Sequence, residues 1–179
     1  FGFFFVVFYF VALQLNFLWL FGKQPSFDSI EHPKTSVASE VYSSDGVLLG
    51  KYYRENRSPV EYEKISPFVL NALIATEDIR FYEHKGIDFK ATISTFWYAI
   101  RGQNRGASTI TQQLAKNLFK TRGNEYKGLL GGIPVIKTII SKSKEWIIAL
   151  KLERNYSKKE IITMYLNTVD FGSNTFGIK

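Results

Sequence analysis

Residues 68–86 read FVLNALIATEDIRFYEHKG, and the fold turns on how this stretch is interpreted. An apolar run from Phe68 to Ala75 is followed by the adjacent acids Glu77 and Asp78. Read as a helix, Leu70, Leu73 and Ile74 form one stripe, and Glu77 continues it at helical spacing. Ser66-Pro67 supplies the start, a capping Ser followed by Pro at the first helical position. A carboxylate on a core-facing stripe is costly to ionise unless it is paired. Such a position tends to carry a raised pKa, which suits a general acid or base. The competing reading is a helix that ends here with Glu77 at a solvated edge, because structural ion pairs also perturb carboxylates.

Further along, residues 91–100 read as a second apolar helix rich in aromatics, followed by a polar loop with Arg101, Gly102 and Arg105. Residues 106–116, GASTITQQLAK, run from loop into helix. Thr109 with Gln112 has capping-box spacing, and Ser108 with Thr111 has it more weakly. A hydroxyl-rich helix N-terminus is an anion-binding platform, and Lys116 adds a point charge suited to a phosphate. The alternative is ordinary capping and a solvated lysine. Residues 135–153 form a long basic amphipathic helix with a break near Ser141. It carries Glu145 just after Lys142 and Lys144, a setting that keeps a carboxylate ionised, unlike the apolar setting of Glu77. Two carboxylates in opposed environments are the usual arrangement for dividing acid and base roles. The plainer reading of Glu145 is a surface pair with Lys142 three residues before it. Ser157 to Glu160 is a full capping box. It opens a helix with Ile161, Ile162, Tyr165 and Leu166 on its buried side and Asn167 at its end. Residues 170–174 are a turn-rich loop.

Residues 1–22, FGFFFVVFYFVALQLNFLWLFG, hold no charge and are apolar apart from Gln14 and Asn16. At about 1.5 Å per residue this length crosses a hydrocarbon core of about 30 Å. No small-residue cleavage site marks a signal peptide. Trp19 suits an interfacial anchor and Lys23 marks the exit, so a membrane span is expected in preference to a buried core helix. Residues 23–34, with Pro25, Ser26, Asp28, Ser29 and Pro33, read as an exposed connector. Residues 37–42 and 47–53 flank Asp45-Gly46, the signature of a hairpin with a two-residue turn. The glycines at 123, 128, 131 and 132 with Pro134 mark a mobile loop whose Leu129, Leu130 and Ile133 touch the membrane surface.

The chain of 179 residues has room for one domain with appendages. Its net charge of +7 belongs wholly to the part after the apolar start. Such an excess suits nucleic acid, an anionic membrane surface or a phosphate-bearing substrate. The absence of cysteine excludes disulfides and Cys-type metal sites. The sole methionine is Met164, so the chain reads as a piece of a longer protein.

Residues 77–86 resemble the first signature of the peptidoglycan glycosyltransferases (family 51), E-D-x-x-F-x-x-H-x-G. Residues 106–113 are similar to the second, G-x-S-T-x-T-Q-Q. Lys142 and Glu145 fit the end of the third, R-K-x-x-E. Lys158, Ile161, Tyr165, Leu166 and Asn167 fit the fourth, K-x-x-I-L-x-x-Y-L-N, with Ile162 in place of Leu. The resemblance covers residues 39–179, and its hairpin resembles the lead-in of class A penicillin-binding proteins, where a transpeptidase follows. The chain departs from the pattern at Ser141, where the third motif has Arg, and at Ser94, where the family often has Arg. A fifth motif, R-A-x-x-Y-F, does not occur before Lys179, which puts the activity of this stretch by itself in question.

The resemblance implies a mainly α, lysozyme-like glycosyltransferase domain with one N-terminal transmembrane helix and a short β-hairpin lead-in. The implied divisions are an anchor at 1–22, a linker at 23–38, the hairpin at 39–62 and the glycosyltransferase domain at 63–179. The protein would sit in the bacterial cytoplasmic membrane as a single-pass protein with its catalytic part facing the periplasm or exterior. It would polymerise lipid II by inverting glycosyl transfer, releasing undecaprenyl pyrophosphate. The catalytic pair is then Glu77, as general base, and Glu145, near the leaving group. Glu145 acts through a divalent cation (Mg or Mn) or through the surrounding lysines. Lys116 and Lys142 neutralise the leaving group. Ser108, Thr109, Thr111, Gln112 and Gln113 form the floor and hold sugar or phosphate oxygens. Asp78 and His84 complete the substrate-binding set, as orienters more than catalysts. The implied partners are lipid II, the growing glycan strand, the membrane and other cell-wall synthesis proteins, with no organic cofactor and no nucleic acid. Two alternatives stand beside this reading. One is a lysozyme-like peptidoglycan hydrolase using the same carboxylates. The other is a catalytically decayed, membrane-anchored cell-wall scaffold, supported by Ser141 and Ser94.

Overall fold

Three apolar helix faces make the main core of the computed structural model, which describes residues 2–26, 28–29, 39–52, 56–57, 60–103, 106–121, 123, 128–169 and 175–176. Among the described residues the α-helices in chain order are α1 (Gly2–Gln14), α2 (Pro67–Glu77), α3 (Phe89–Ile100), α4 (Ile110–Phe119), α5 (Pro134–Asn155) and α6 (Lys158–Thr168). The strands are few and short, so the chain is mainly helical, as expected. α4 is the hub, packed on both α5 and α6. Its Ile110, Leu114 and Ala115 are fully buried against Ile148 and Leu152 of α5 and Ile161, Ile162, Tyr165 and Leu166 of α6. Phe81, just after α2, is fully buried in the same core.

The local signals account for most helix boundaries. Thr109 caps α4 by accepting from the Gln112 amide at 3.1 Å. Ser157 and Glu160 make both bonds of the capping box before α6, at 3.3 and 2.7 Å. Pro67 opens α2 as expected, but the Ser66 side chain makes no cap; its carbonyl accepts from the Val69 and Leu70 amides instead. α3 begins earlier than expected because Asp88 caps it, its Oδ1 accepting from the Ala91 amide at 2.9 Å. α5 runs unbroken through Ser141, contrary to the expected break, since a lone serine neither removes a backbone donor nor clashes with the preceding turn. Asn167 does not end α6 but lies in its last turn. Its side-chain amide accepts from the Val60 N–H and donates to the Val60 carbonyl, both at 2.9 Å, tying the chain before α2 to α6.

The hairpin forms from β1 (Ser39–Tyr42) and β2 (Leu48–Tyr52), antiparallel, with Glu40 opposite Lys51. Its turn is not the two-residue one expected. The Ser43 amide donates to the Val47 carbonyl at 2.9 Å, closing a three-residue loop whose last member, Gly46, sits at φ +83°. The expected strand residues Val37 and Tyr53 lie outside the described residues, as does most of the 23–38 connector. β3 (Asn56–Arg57) leaves the hairpin and pairs in parallel with β4 (Thr175–Phe176).

The apolar start departs most from expectation. α1 stops at Gln14, a length of about 20 Å against the roughly 30 Å of a bilayer core. Among the described residues no helix is long and apolar enough to cross a membrane. After α1 the backbone turns through Asn16, Leu18 and Trp19, all with positive φ. Phe21 then joins Ala12 and Leu13 in a second apolar cluster with Ile140 and Ile147 of α5. The reversal is pinned from the other side. The Leu130 amide donates to the Leu20 carbonyl at 3.1 Å, and a Cβ on Gly128 would come within 2.3 Å of the Gly22 nitrogen. The described part of the glycine-rich loop is therefore docked on the N-terminal segment, although Leu129 and Ile133 remain exposed. Phe3, Phe4, Phe5 and Phe8 of α1 also stay exposed.

Lys144 locks this corner. It is 1% exposed and donates to the Lys23 carbonyl at 2.9 Å and the Gly22 carbonyl at 3.3 Å. Burial lowers its pKa from 10.5 to about 8. Below about 8 the lysine is protonated in both folded and unfolded chains, and the cost of burying its charge is fully present. Between about 8 and 10.5 the unfolded chain holds a proton that the folded chain has lost, so stability rises with pH. Urea unfolding across this window is expected to show that rise, and Lys144→Met is expected to reduce it, the remainder coming from Lys151, whose pKa burial also lowers. Equal slopes in both proteins would contradict the assignment.

Candidate active site

Glu77 stands where two lobes of one cleft meet. The larger, about 490 Å³, runs from Thr76 and Glu77 past Gly106 and Ser108 to Gln113 and Lys116 of α4 and Lys142 and Glu145 of α5. The smaller, about 310 Å³, shares Thr76, Glu77, Gly106 and Ser108 and extends to Arg80, Asp88, Ser94 and Thr109. The cleft thus gathers the end of α2, the loop into α4, one face of α4 and the middle of α5.

The two carboxylates have the reverse of their expected settings. Glu77 is exposed, because α2 ends on it and Leu70, Leu73 and Ile74 are themselves only partly buried. Its Oε2 accepts from Gln113 Nε2 at 2.7 Å, and Gln113 Oε1 accepts from the Tyr165 hydroxyl at 3.2 Å. Glu145 is fully buried. Lys142 Nζ lies 2.8 Å from its Oε2 and also donates to Ser108 Oγ at 2.7 Å, while Thr121 Oγ1 donates to its Oε1 at 3.4 Å. The two lysines just before Glu145 in sequence diverge, Lys142 into the cleft and Lys144 away to the N-terminal segment. Lys116 is exposed on the cleft wall.

The start of α4 is not an open anion platform, because a carboxylate of the chain itself occupies it. Asp78 Oδ2 accepts from the Ile110 amide at 3.0 Å, a favourable place for a negative charge at a helix N-terminus. His84 Nε2 lies 2.9 Å from Asp78 Oδ1. The Gly86 amide donates to His84 Nδ1 at 3.2 Å, so the other ring nitrogen carries the proton toward Asp78. The Gly86 carbonyl accepts from Thr109 Oγ1 at 2.7 Å and Gln112 Nε2 at 3.1 Å. Gly86 has φ +86°, and a Cβ there would meet the Ala149 backbone at 3.0 Å, so only glycine fits.

These bonds separate the substrate-binding candidates. Ser108, Gln113, Lys116 and Lys142 line the larger lobe; Ser108 and Lys142 bond to each other there, and the Gln113 amide is held between Glu77 and Tyr165. Thr109 and Gln112 border it, but their polar atoms are engaged on Gly86. Thr111 is fully buried, its hydroxyl donating to Glu153 at 2.6 Å, and lines neither lobe. His84 also lines neither lobe, and Asp78 is buried with both oxygens bonded. Thr111, expected to hold sugar or phosphate oxygens, instead supports the wall from behind, and His84, expected as an orienter, stands behind the wall as well.

Two further ion pairs escaped the sequence reading. Glu153 accepts from Lys158 Nζ at 2.8 Å as well as from Thr111, and Lys158 also donates to the His84 carbonyl at 2.7 Å and lies over the Phe81 ring. This knot joins the first, second and fourth motifs. Arg80 Nε donates to Asp88 Oδ2 at 2.8 Å. Burial pushes the Asp88 carboxyl up, but the Ala91 amide and Arg80 outweigh it and hold the group below its usual range. Arg80 and Asp88 both lie in the irregular stretch between α2 and α3, so no helical or strand periodicity signals their pairing. Of the two serines that replace arginines of the motif pattern, Ser94 lines the smaller lobe and bonds to the Ala91 carbonyl, whereas Ser141 is buried.

The donor set beside Glu145 does not fit a protein-held divalent cation. One carboxylate oxygen already faces the Lys142 ammonium, and Glu145 belongs to no group of three His or acidic side chains among the described residues. The group that does gather is Asp78, His84 and Asp88, and there the Ile110 and Ala91 amides and the Arg80 guanidinium already satisfy the oxygens. An adjacent guanidinium repels a metal ion.

A family model described as transglycosylase matches residues 45–179. Penicillin-binding protein 1F of Bacillus subtilis (strain 168) is 42% identical over 145 residues, which cover 80% of this chain and 18% of that protein. Penicillin-binding protein 1A of Aquifex aeolicus (strain VF5) is 36% identical over 176 residues, 97% of this chain and 22% of that protein. Penicillin-binding protein 1A of Escherichia coli (strain K12) is 34% identical over 158 residues, 86% of this chain and 17% of that protein. The chain spans about a fifth of the length of these relatives.

Proposed function

This chain belongs to the transglycosylase family, and from that premise we propose that its cleft polymerises lipid II into peptidoglycan glycan strands. The observation that carries the reading is the pairing of an exposed carboxylate, Glu77, with the ammonium groups of Lys116 and Lys142 across one cleft. Glu77 takes the proton from the 4-hydroxyl of the acceptor's GlcNAc. The freed oxygen attacks C1 of the donor's MurNAc, the bond from C1 to the pyrophosphate oxygen breaks, and configuration inverts. The leaving undecaprenyl pyrophosphate gains negative charge, which Lys116 and Lys142 neutralise. Glu145 holds Lys142 in position for that task. The two lysines supply the positive charge that the leaving group needs.

The exposed phenylalanines of α1 support an anchoring role for the N-terminal segment in the cytoplasmic membrane. The apolar stripe Phe89, Ile93, Trp97 and Ile100 on α3 is exposed as well and supports a second contact with lipid. In this arrangement the catalytic part faces the periplasm or exterior, where it meets the growing strand and other cell-wall synthesis proteins.

The test supplies labelled lipid II to the full-length protein in detergent and, separately, purified peptidoglycan. High-molecular-weight glycan from the first and no soluble fragments from the second are expected. Soluble fragments would assign the cleft to hydrolysis, and lipid II binding without turnover would assign it to a scaffold.

A further inference from the structure

We propose that Tyr165 and Gln113 form a positioning relay for Glu77. Tyr165 fixes the Gln113 amide, and the amide fixes the carboxylate that removes the acceptor's proton. The proposal rests on the reading of Glu77 as the base.

The relay crosses three helices. The hydroxyl of Tyr165, on α6, donates to Gln113 Oε1 at 3.2 Å, and Gln113 Nε2, on α4, donates to Glu77 Oε2 at 2.7 Å, at the end of α2. Hydrogen-bond logic gives the chain one direction. A carboxylate only accepts, so the Gln113 group facing Glu77 is its NH₂. That leaves Oε1 for Tyr165, and the phenol must then donate. Burial, reinforced by the Glu77 charge, pushes the Tyr165 phenol up to about 12, so the hydroxyl keeps its proton throughout the working range of an enzyme. The flipped amide would set Oε1 against a carboxylate oxygen and leave the hydroxyl facing NH₂.

The physical need is plain. Glu77 is an exposed side chain at a helix terminus, where rotamer freedom is high, yet a base acts only from a narrow range of positions. Tyr165 is buried in the main core, where packing fixes its ring, and Gln113 links it to the cleft. The neighbouring Gln112 has a different task, since its amide donates to the Gly86 carbonyl. The two adjacent glutamines, grouped together as substrate contacts on sequence grounds, therefore separate into one that supports the wall and one that aims the base.

Kinetics of lipid II polymerisation test the role. Tyr165→Phe, which keeps the ring and removes one hydroxyl, is expected to lower kcat by about fivefold to tenfold with KM unchanged. Gln113→Glu keeps the shape but removes the donor, and is expected to lower kcat by about a hundredfold. Tyr165→Phe added to Gln113→Ala should cause no further loss, because its effect passes through Gln113. A raised KM with kcat preserved would make Gln113 a substrate contact and overturn the relay. Effects that multiply independently would overturn it too. The geometry has its own readout in the unliganded protein: the side-chain amide resonance of Gln113 should move in both Tyr165→Phe and Glu77→Gln. A resonance that moves in neither overturns the relay, whatever the activity. If the unaltered protein does not polymerise lipid II, the base reading fails while the amide resonance still decides the relay. Should the Gln113 variants fail to fold, Tyr165→Phe decides by both measures.

Discussion

Glu77→Gln is expected to stop glycan polymerisation and leave the protein folded. The substitution preserves the size and planarity of the group and removes its ability to take a proton. General-base catalysis contributes about 10² to 10⁴ in rate, so a loss of at least about a hundredfold is expected in labelled lipid II assays. Because Glu77 is exposed, the melting temperature should not move. Lipid II affinity should also hold, since the proposed pyrophosphate contacts are Lys116 and Lys142, which the substitution leaves in place. Activity within tenfold of the unaltered protein would remove Glu77 as the base. A fallen melting temperature would mean that the carboxylate serves the fold.

Glu145→Gln should damage both stability and turnover. Glu145 is fully buried with the Lys142 ammonium 2.8 Å away, and Lys142 in turn donates to Ser108. Removing the charge from one member of a buried pair typically costs about 3–5 kcal/mol. Here the lysine is 32% exposed and water takes up part of the loss, so a smaller cost of about 1–3 kcal/mol is expected. The catalytic effect follows from aim. Without its counter-charge the ammonium is free to swing away from the leaving group, and turnover should fall by about a hundredfold. Denaturant unfolding and single-turnover assays read the two effects separately. A rate change below about tenfold, some 1.4 kcal/mol, would give Glu145 a structural role only.

Much of this molecule is local in origin, and those parts are legible in the sequence. Thr109 and Ser157 cap the helices that their spacing indicates, because a cap involves only the next three residues. The motifs at 77–86, 106–113 and 142–145 do meet around one cleft. What stayed hidden depends on contacts distant in sequence. The apolar stripe on α2 points at Glu77, but nothing in that stretch says that the core stops one turn short of it. The lysines around Glu145 read as a solvated surface, yet one lysine is drawn to the carbonyls of residues 22 and 23 and the carboxylate is buried. The free amide of Ile110 looks available for a phosphate until Asp78, 32 residues earlier, is seen to fill it. The end of α1 had no strong signal, since Leu15, Phe17, Leu18, Trp19, Leu20 and Phe21 are as apolar as the helix before them. It is the docking of residues 20–22 against residues 128–130 and Lys144 that turns the chain.

If Glu77 activates a sugar hydroxyl for direct displacement of a lipid pyrophosphate, the stereochemistry of the new bond records it. Lipid II labelled at C1 of MurNAc is incubated with the full-length protein, and the product is examined by NMR for the configuration at that carbon. Inversion to the β-linkage is expected, with one undecaprenyl pyrophosphate released for every bond formed and no sugar attached to the protein. Retained configuration, or a glycosyl group bound covalently to the chain, would contradict direct displacement.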